Sequence, residues 1–166
     1  PWGPRLGKAN DGGIPDAVVM QLTNKHDLGI HTEMVGDGIM TLVEAGVVNN
    51  RKKNYHRGKM LATFALGSKK LYDFMHRNPA LEMHPVDFTN DPYLAGKNDN
   101  LHCINATMQI DFLGQCGSES LGTKPYSGTG GQADFVRAAN RSDGGKAFIV
   151  LPLTAKDDTI SRIVPT

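Results

Sequence analysis

The chain is poor in cysteine, in unbalanced charge and in long apolar stretches. Its two cysteines, Cys103 and Cys116, cannot make a disulfide framework, and Cys103 lies in an apolar run, where it reads as a small core residue. A formal net charge of +1 gives neither nucleic acid nor an anionic membrane surface much to attract. No apolar run approaches the roughly 18 residues of a membrane span, and no secretory signal is present. The expectation is therefore a cytoplasmic protein without membrane or nucleic-acid partners. A Gly-x-Ser-x-Gly elbow and a phosphate-binding P-loop are also missing, so triad hydrolysis and nucleotide hydrolysis lack support. The histidines His26, His56, His76, His84 and His102 are scattered. With no Cys/His cluster at zinc spacing, no metal is expected. His31 and Glu33, two apart on a strand and so on one face, are the remaining pair to weigh as ligands.

What is present fits a folded domain. At 166 residues, with 39% hydrophobic and 21% charged residues, the chain is one domain that can bury a core without covalent staples. The 19 glycines form no repeat and cluster at the ends of predicted elements, where α/β turns need them. Pro1-Trp2-Gly3-Pro4 cannot be a central strand, because each proline removes a ladder donor. Residues 1–11 read as an irregular or non-native start.

From Ile14 the pattern alternates. Helices are predicted over 15–22, 39–45 (stopped by Gly46), from Ser68 as cap to Asn78-Pro79, over 91–97 and over 132–139. Strands are predicted over 28–34, 60–66, 81–86, 101–112, 147–151 and 160–164. Residues 117–131 form a long Gly/Ser/Thr-rich loop, of a length that is usually functional or disordered in compact domains. Alternating strands and helices point to an α/β fold with an open, mostly parallel sheet and helices on both faces. The basic runs Arg51-Lys52-Lys53 and Lys69-Lys70 read as solvated faces.

The most informative stretch is Gly29-Ile30-His31-Thr32-Glu33-Met34. A strand-like approach delivers one carboxylate, and the turn Gly36-Asp37-Gly38 follows at once. Open α/β sheets place their chemistry at the carboxyl ends of strands. An acid there suits a nucleophile, a general base or a metal ligand, or simply caps the next helix. A second segment stands far downstream: Ser127-Gly128-Thr129-Gly130-Gly131-Gln132-Ala133-Asp134-Phe135. A Gly-rich turn entering a helix offers anion-binding N–H groups. Asp134 and Arg137 read as a local ion pair or as dipole partners.

Together these segments resemble the acetyl-CoA hydrolase/transferase family, in particular its 4-hydroxybutyrate and butyryl-CoA:acetate CoA-transferases. Further matching residues are Gly12-Gly13-Ile14-Pro15-Asp16-Ala17-Val18, Leu42-Val43-Glu44-Ala45, Leu71-Tyr72-Asp73-Phe74, Pro85-Val86-Asp87, Thr89-Asn90-Asp91-Pro92 and Ser161-Arg162-Ile163-Val164-Pro165. Their order and spacing carry the resemblance from about Gly12 to Pro165. It implies a NagB/RpiA/CoA-transferase-like fold and a C-terminal CoA-transferase domain over 12–166, with the N-terminal half absent. It also implies a homodimer, with acyl-CoA and short carboxylic acids as substrates and no permanently bound cofactor.

The resemblance assigns the chemistry too. Glu33 would be an ionised nucleophile that passes through an acyl anhydride to a glutamyl-CoA thioester. Only a carboxylate can form a mixed anhydride and keep the acyl group activated. Asn90 and the Gly131 N–H would stabilise the oxyanion, with Asn105 as the substitute amide. Gly12, Gly13, Gly128, Gly130 and Gly131 would let backbone approach the coenzyme, and Met108 would line its pocket. The turn Asn10-Asp11-Gly12-Gly13 departs from the family's Gly-x-Gly-Gly. An acyl-CoA hydrolase, in which water resolves the intermediate, and a non-catalytic acyl-CoA-binding domain are the alternatives. The isolated piece is expected to show little transferase activity.

Overall fold

The computed structural model describes residues 2–4, 18–19 and 21–165. Gly12 and Gly13, and most of the helix expected over 15–22, lie outside these residues.

Two apolar centres organise the described chain. The first is built on segments that run side by side in parallel. The stretch leading to Glu33 lies along residues 60–65: His31 bridges Leu61, and Met34–Val35 pairs with Phe64–Ala65. Met60–Ala62 pairs in turn with Leu81–Met83, and Leu28 bridges Val48. The helix Asp37–Glu44 turns Ile39, Met40 and Leu42 inward, and the helix Lys69–Met75 adds Leu71. These side chains close on Ile30, Val35 and Met60. The first helix starts two residues before the expected 39, and Gly46 (φ +74°) terminates it in the left-handed region, as expected. Ser68 stands at the N-cap of the second helix, but its hydroxyl donates to Asp37 Oδ1 at 2.7 Å instead of capping a helix N–H.

The second centre lies under a three-stranded parallel sheet. His102–Ala106 is central, with Trp2–Pro4 on one side and Lys146–Val150 on the other. Pro4 thus stands on a strand at the edge of the described sheet, where proline is tolerated. Against this sheet pack the short helix Pro92–Ala95 and the helix Gln132–Arg141, burying Ala95, Leu101, Cys103, Phe135, Ala138 and Ala139.

The architecture is mixed α/β with small, mainly parallel sheets. It departs from one continuous open sheet: the described strands fall into six sheets of two or three strands. The causes are local. The strand expected over 60–66 breaks at Thr63 because Thr63 N and Phe64 N both donate to the Glu33 carbonyl, at 2.9 and 3.1 Å. Two residues then face one, as in a bulge. The strand expected over 101–112 splits into His102–Ala106 and Gln109–Asp111 as the chain changes partners: Thr107 N donates to Val150 O, Met108 N to Gly117 O. Gln109–Asp111 then pairs with Cys116–Gly117 and with Ile163–Val164. The expected loop 117–131 holds a hairpin, Ser120–Leu121 against Lys124–Pro125, turning at Gly122 (φ +57°).

Candidate functional site

Glu33 stands where the two centres meet, in a cleft of 1110 Å³. Three elements converge on it. The parallel pairing of 31–35 with 61–65 carries its backbone. The helix Val86–Thr89 ends at Asn90, and Gly131 stands at the N-cap of Gln132–Arg141. Asn90 Nδ2 donates to Glu33 Oε2 at 3.2 Å, and the Gly131 N–H donates to the same oxygen at 3.0 Å. The sequence separations are 57 and 98 residues, so only the fold brings these groups together. Among the described residues nothing donates to Oε1. The carboxylate therefore has one oxygen pinned by two donors and one oxygen free for chemistry.

Gly131 is required by space. A Cβ there would collide with Glu33 Oε2 and lie 2.5 Å from Asn90 Nδ2. The residues that hold the approach to Glu33 escaped the sequence reading. The Asn50 side chain accepts from Ile30 N at 2.9 Å, and Lys53 Nζ donates to Ile30 O at 2.9 Å and to Lys59 O at 2.7 Å. Lys53 is thus not part of a solvated basic face. It is 4% exposed, and burial pushes its pKa down to about 8. Gly29 makes room for it, since a Cβ would stand 2.5 Å from Lys53 Cγ. A lysine inside a basic run carries no periodic signal of burial.

His31 is fully buried and does not join Glu33 as a ligand. Its Nε2 lies 2.7 Å from the Thr89 carbonyl, which can only accept, so Nε2 carries the proton. Burial lowers its pKa to about 4, against the opposing effect of that hydrogen bond. The ring therefore ties the strand before Glu33 to the helix before Asn90 as a neutral group.

The other candidates take different places. Asn105 is buried and lines the cleft, but its amide donates to Cys103 Sγ at 2.6 Å; Asn90 is the amide on Glu33. Met108 lines the cleft, with its carbonyl accepting from Arg162 Nη1 at 2.9 Å. Gly128 also lines it, with open space where a Cβ would be. Gly130 is half-buried beside Gly131. Among the described residues no ion pair joins Asp134 to Arg137, and Asp134 lies in the first turn of its helix, where an acid complements the dipole. No helix of the described residues is long and apolar enough to cross a membrane.

Residues 67–166 match the acetyl-CoA hydrolase/transferase C-terminal domain. The chain belongs to this family. It is 60% identical over 155 residues to a succinyl-CoA:cyclohexane-1-carboxylate CoA transferase of Geobacter metallireducens, covering 93% of this chain and 36% of that protein. It is 54% identical over 154 residues to a 4-hydroxybutyrate coenzyme A transferase of Clostridium kluyveri, with the same coverage of 93% and 36%. Among solved structures, RipA from Yersinia pestis superposes with a TM-score of 0.87 at 41% identity, over 99% of this chain and 35% of that one. A 4-hydroxybutyrate CoA-transferase from Porphyromonas gingivalis gives 0.85 at 42%, over 99% and 38%. The chain spans just over a third of the length of the curated relatives it matches.

Proposed function

We propose that this chain is the C-terminal domain of a CoA-transferase that moves coenzyme A between short carboxylic acids through a glutamyl-CoA thioester on Glu33. The observation that carries the reading is the pair of donors, Asn90 Nδ2 and Gly131 N–H, on one oxygen of a cleft carboxylate. The relatives' names, all CoA transferases and two of them for 4-hydroxybutyrate and for butyryl-CoA and acetate, support the substrate class.

The chemistry follows from which oxygen is held. Glu33 Oε1 attacks the acyl-CoA thioester carbon. The C–S bond breaks, the CoA thiolate leaves, and a mixed anhydride remains. The thiolate then attacks Glu33 Cδ, and negative charge develops on Oε2, the atom already facing both donors. Donors placed before charge appears need no reorganisation as it does. Collapse expels the first carboxylic acid as its anion and leaves the thioester. A second carboxylate attacks the same Cδ, with the same oxygen taking the charge, and the steps run backwards.

The reading includes an N-terminal half that completes the cleft, a fold continuing the small parallel sheets into a NagB/RpiA-like whole, and a homodimeric enzyme working in the cytoplasm. The test is mass analysis of the full-length protein after incubation with butyryl-CoA, quenching and peptide mapping. A CoA adduct on Glu33 that acetate removes is the expected result. An adduct cleared equally fast by water alone would make the enzyme a hydrolase. No adduct on a folded, CoA-binding protein would remove Glu33 as nucleophile.

A further inference from the structure

A second convergence of polar side chains lies apart from Glu33, on the strand Leu81–Met83 and its exit. Glu82 and His84 sit two apart, and His56 reaches them from the loop before Met60. His56 Nδ1 is 2.6 Å and His84 Nε2 is 3.4 Å from the same atom, Glu82 Oε2. One ligand atom of each residue lies within 4.8 Å of the others. Tetrahedral zinc with bonds of about 2.1 Å sets neighbouring ligand atoms roughly 3.4 Å apart. The separations on this surface, 2.6 and 3.4 Å to Glu82 Oε2 and no more than 4.8 Å for any pair, bracket that value.

The rings are held in place. His84 stacks on Phe88 at 4.4 Å, His56 meets His84 edge-on at 5.5 Å, and Tyr55 meets His56 at 4.5 Å. His56 adopts the left-handed backbone (φ +50°), a conformation uncommon outside glycine but several-fold enriched in histidine. Such strained residues cluster at ligand clamps and active sites. The nearest cation, Lys59, sits 3.9 Å from the other carboxylate oxygen and is anchored on the Pro79 carbonyl, leaving Oε2 to the imidazoles. The side chains are 25%, 30% and 28% exposed, which gives solvent an open side.

We propose that His56, Glu82 and His84 bind a divalent transition-metal ion of the zinc class, with water completing the coordination. Two imidazoles and one carboxylate form a borderline donor set that suits zinc better than magnesium or calcium. Binding sends the proton on each liganding ring nitrogen to the other ring nitrogen or to solvent, so no oxidant or further reactant enters. Linear spacing hid the site because His56 precedes Glu82 by 26 residues. The ion would tie the loop carrying His56 to the strand that feeds, through Pro85, the helix ending at Asn90.

The test is zinc titration of the chelator-stripped full-length protein, followed by calorimetry and by the imidazole resonances. The expectation is one equivalent bound at about 1 μM or tighter, with His56 and His84 ring signals shifting together. Glu82→Gln and His84→Asn should each weaken that binding about a hundredfold, while His76→Asn leaves it unchanged. Zinc should also raise the wild-type Tm and not that of Glu82→Gln. Wild-type binding weaker than about 1 mM, or tight binding with unmoved His56 and His84 resonances, overturns the proposal. The resonance test needs no variant, so a misfolded substitution does not rescue the idea.

Discussion

The two walls of the cleft are built differently. The wall behind Glu33 is made of parallel segments in which polar side chains are buried and tied to backbone: His31 to Thr89, Lys53 to Ile30, Asn50 to Ile30. The facing wall is made of two-residue hairpin strands, and large apolar side chains there, Leu121 and Ile160 among them, stay exposed. A carboxylate that must meet two donors on one oxygen needs the first kind of wall. Hydrogen-bonded buried groups fix geometry because every alternative leaves them unsatisfied. Short exposed hairpins hold little by themselves.

That contrast breaks most sharply at Glu33. Glu33→Gln keeps the size of the side chain but cannot form an anhydride. Transfer by the full-length enzyme should fall at least about 10⁴-fold, with the CoA adduct gone from the peptide map. Retention of even a hundredth of the activity would remove Glu33 as the nucleophile. Next come the donors. Asn90→Ala should lower kcat by about 10²–10³-fold. Gly131→Ala should do at least as much, since the added methyl collides with Glu33 Oε2. A Gly131→Ala enzyme with wild-type kcat would mean that the loop moves aside before catalysis.

The buried groups predict pH effects of smaller size. His31 titrates near 4 when folded against 6.5 in the ordinary chain. Between these values the unfolded state binds more protons, so its stabilising contribution is full above pH 6.5 and lost as pH falls towards 4. The loss is on the order of 3 kcal/mol, readable in urea melts across that window. His31→Asn should flatten the slope. Lys53 behaves likewise at the other end. Its folded pKa is lowered from 10.5 to about 8, so stability should rise, by a similar order, from pH 8 to 10.5. Lys53→Met should abolish the rise, and a rise unchanged in that variant would place the titration elsewhere.

The sequence made the near wall legible and the far wall much less so. The apolar spacing of Ile39, Leu42 and Val43 is a local signal and produced the helix expected from it, whereas the strand expected over 28–34 is reduced to single bridges at Leu28 and His31 before the short strand Met34–Val35, and the turn expected at Gly36-Asp37-Gly38 is already the start of the helix. Asn90 and Gly131 were reached through the order of motifs in a family pattern, not through any property visible at those positions. The long strand 101–112 misled because its apolar composition is continuous across Thr107–Met108, while the backbone changes partners there. Lys53 and the His56–Glu82–His84 group were invisible for a related reason. Burial of a lysine and convergence of distant ligands are properties of tertiary contact, and no period in the chain encodes them.

The smallest expected effect concerns a glycine on the far wall. Gly128 and Gly131 belong to one glycine-rich segment, and composition alone treats them alike. The structure separates them. At Gly131 a Cβ meets the Glu33 carboxylate; at Gly128 it meets nothing within 4 Å, and the backbone is outside the left-handed region. Gly128→Ala should therefore fold normally and hold kcat within about twofold, since surface substitutions away from special features usually change stability by under about 0.5 kcal/mol. The informative quantity is KM for acyl-CoA. If it also stays within twofold, neither the fold nor coenzyme binding requires glycine at this position. A tenfold rise in KM at constant kcat would mean that the pantetheine arm lies against the Gly128 backbone, a close approach that a methyl group blocks without touching the chemistry at Glu33.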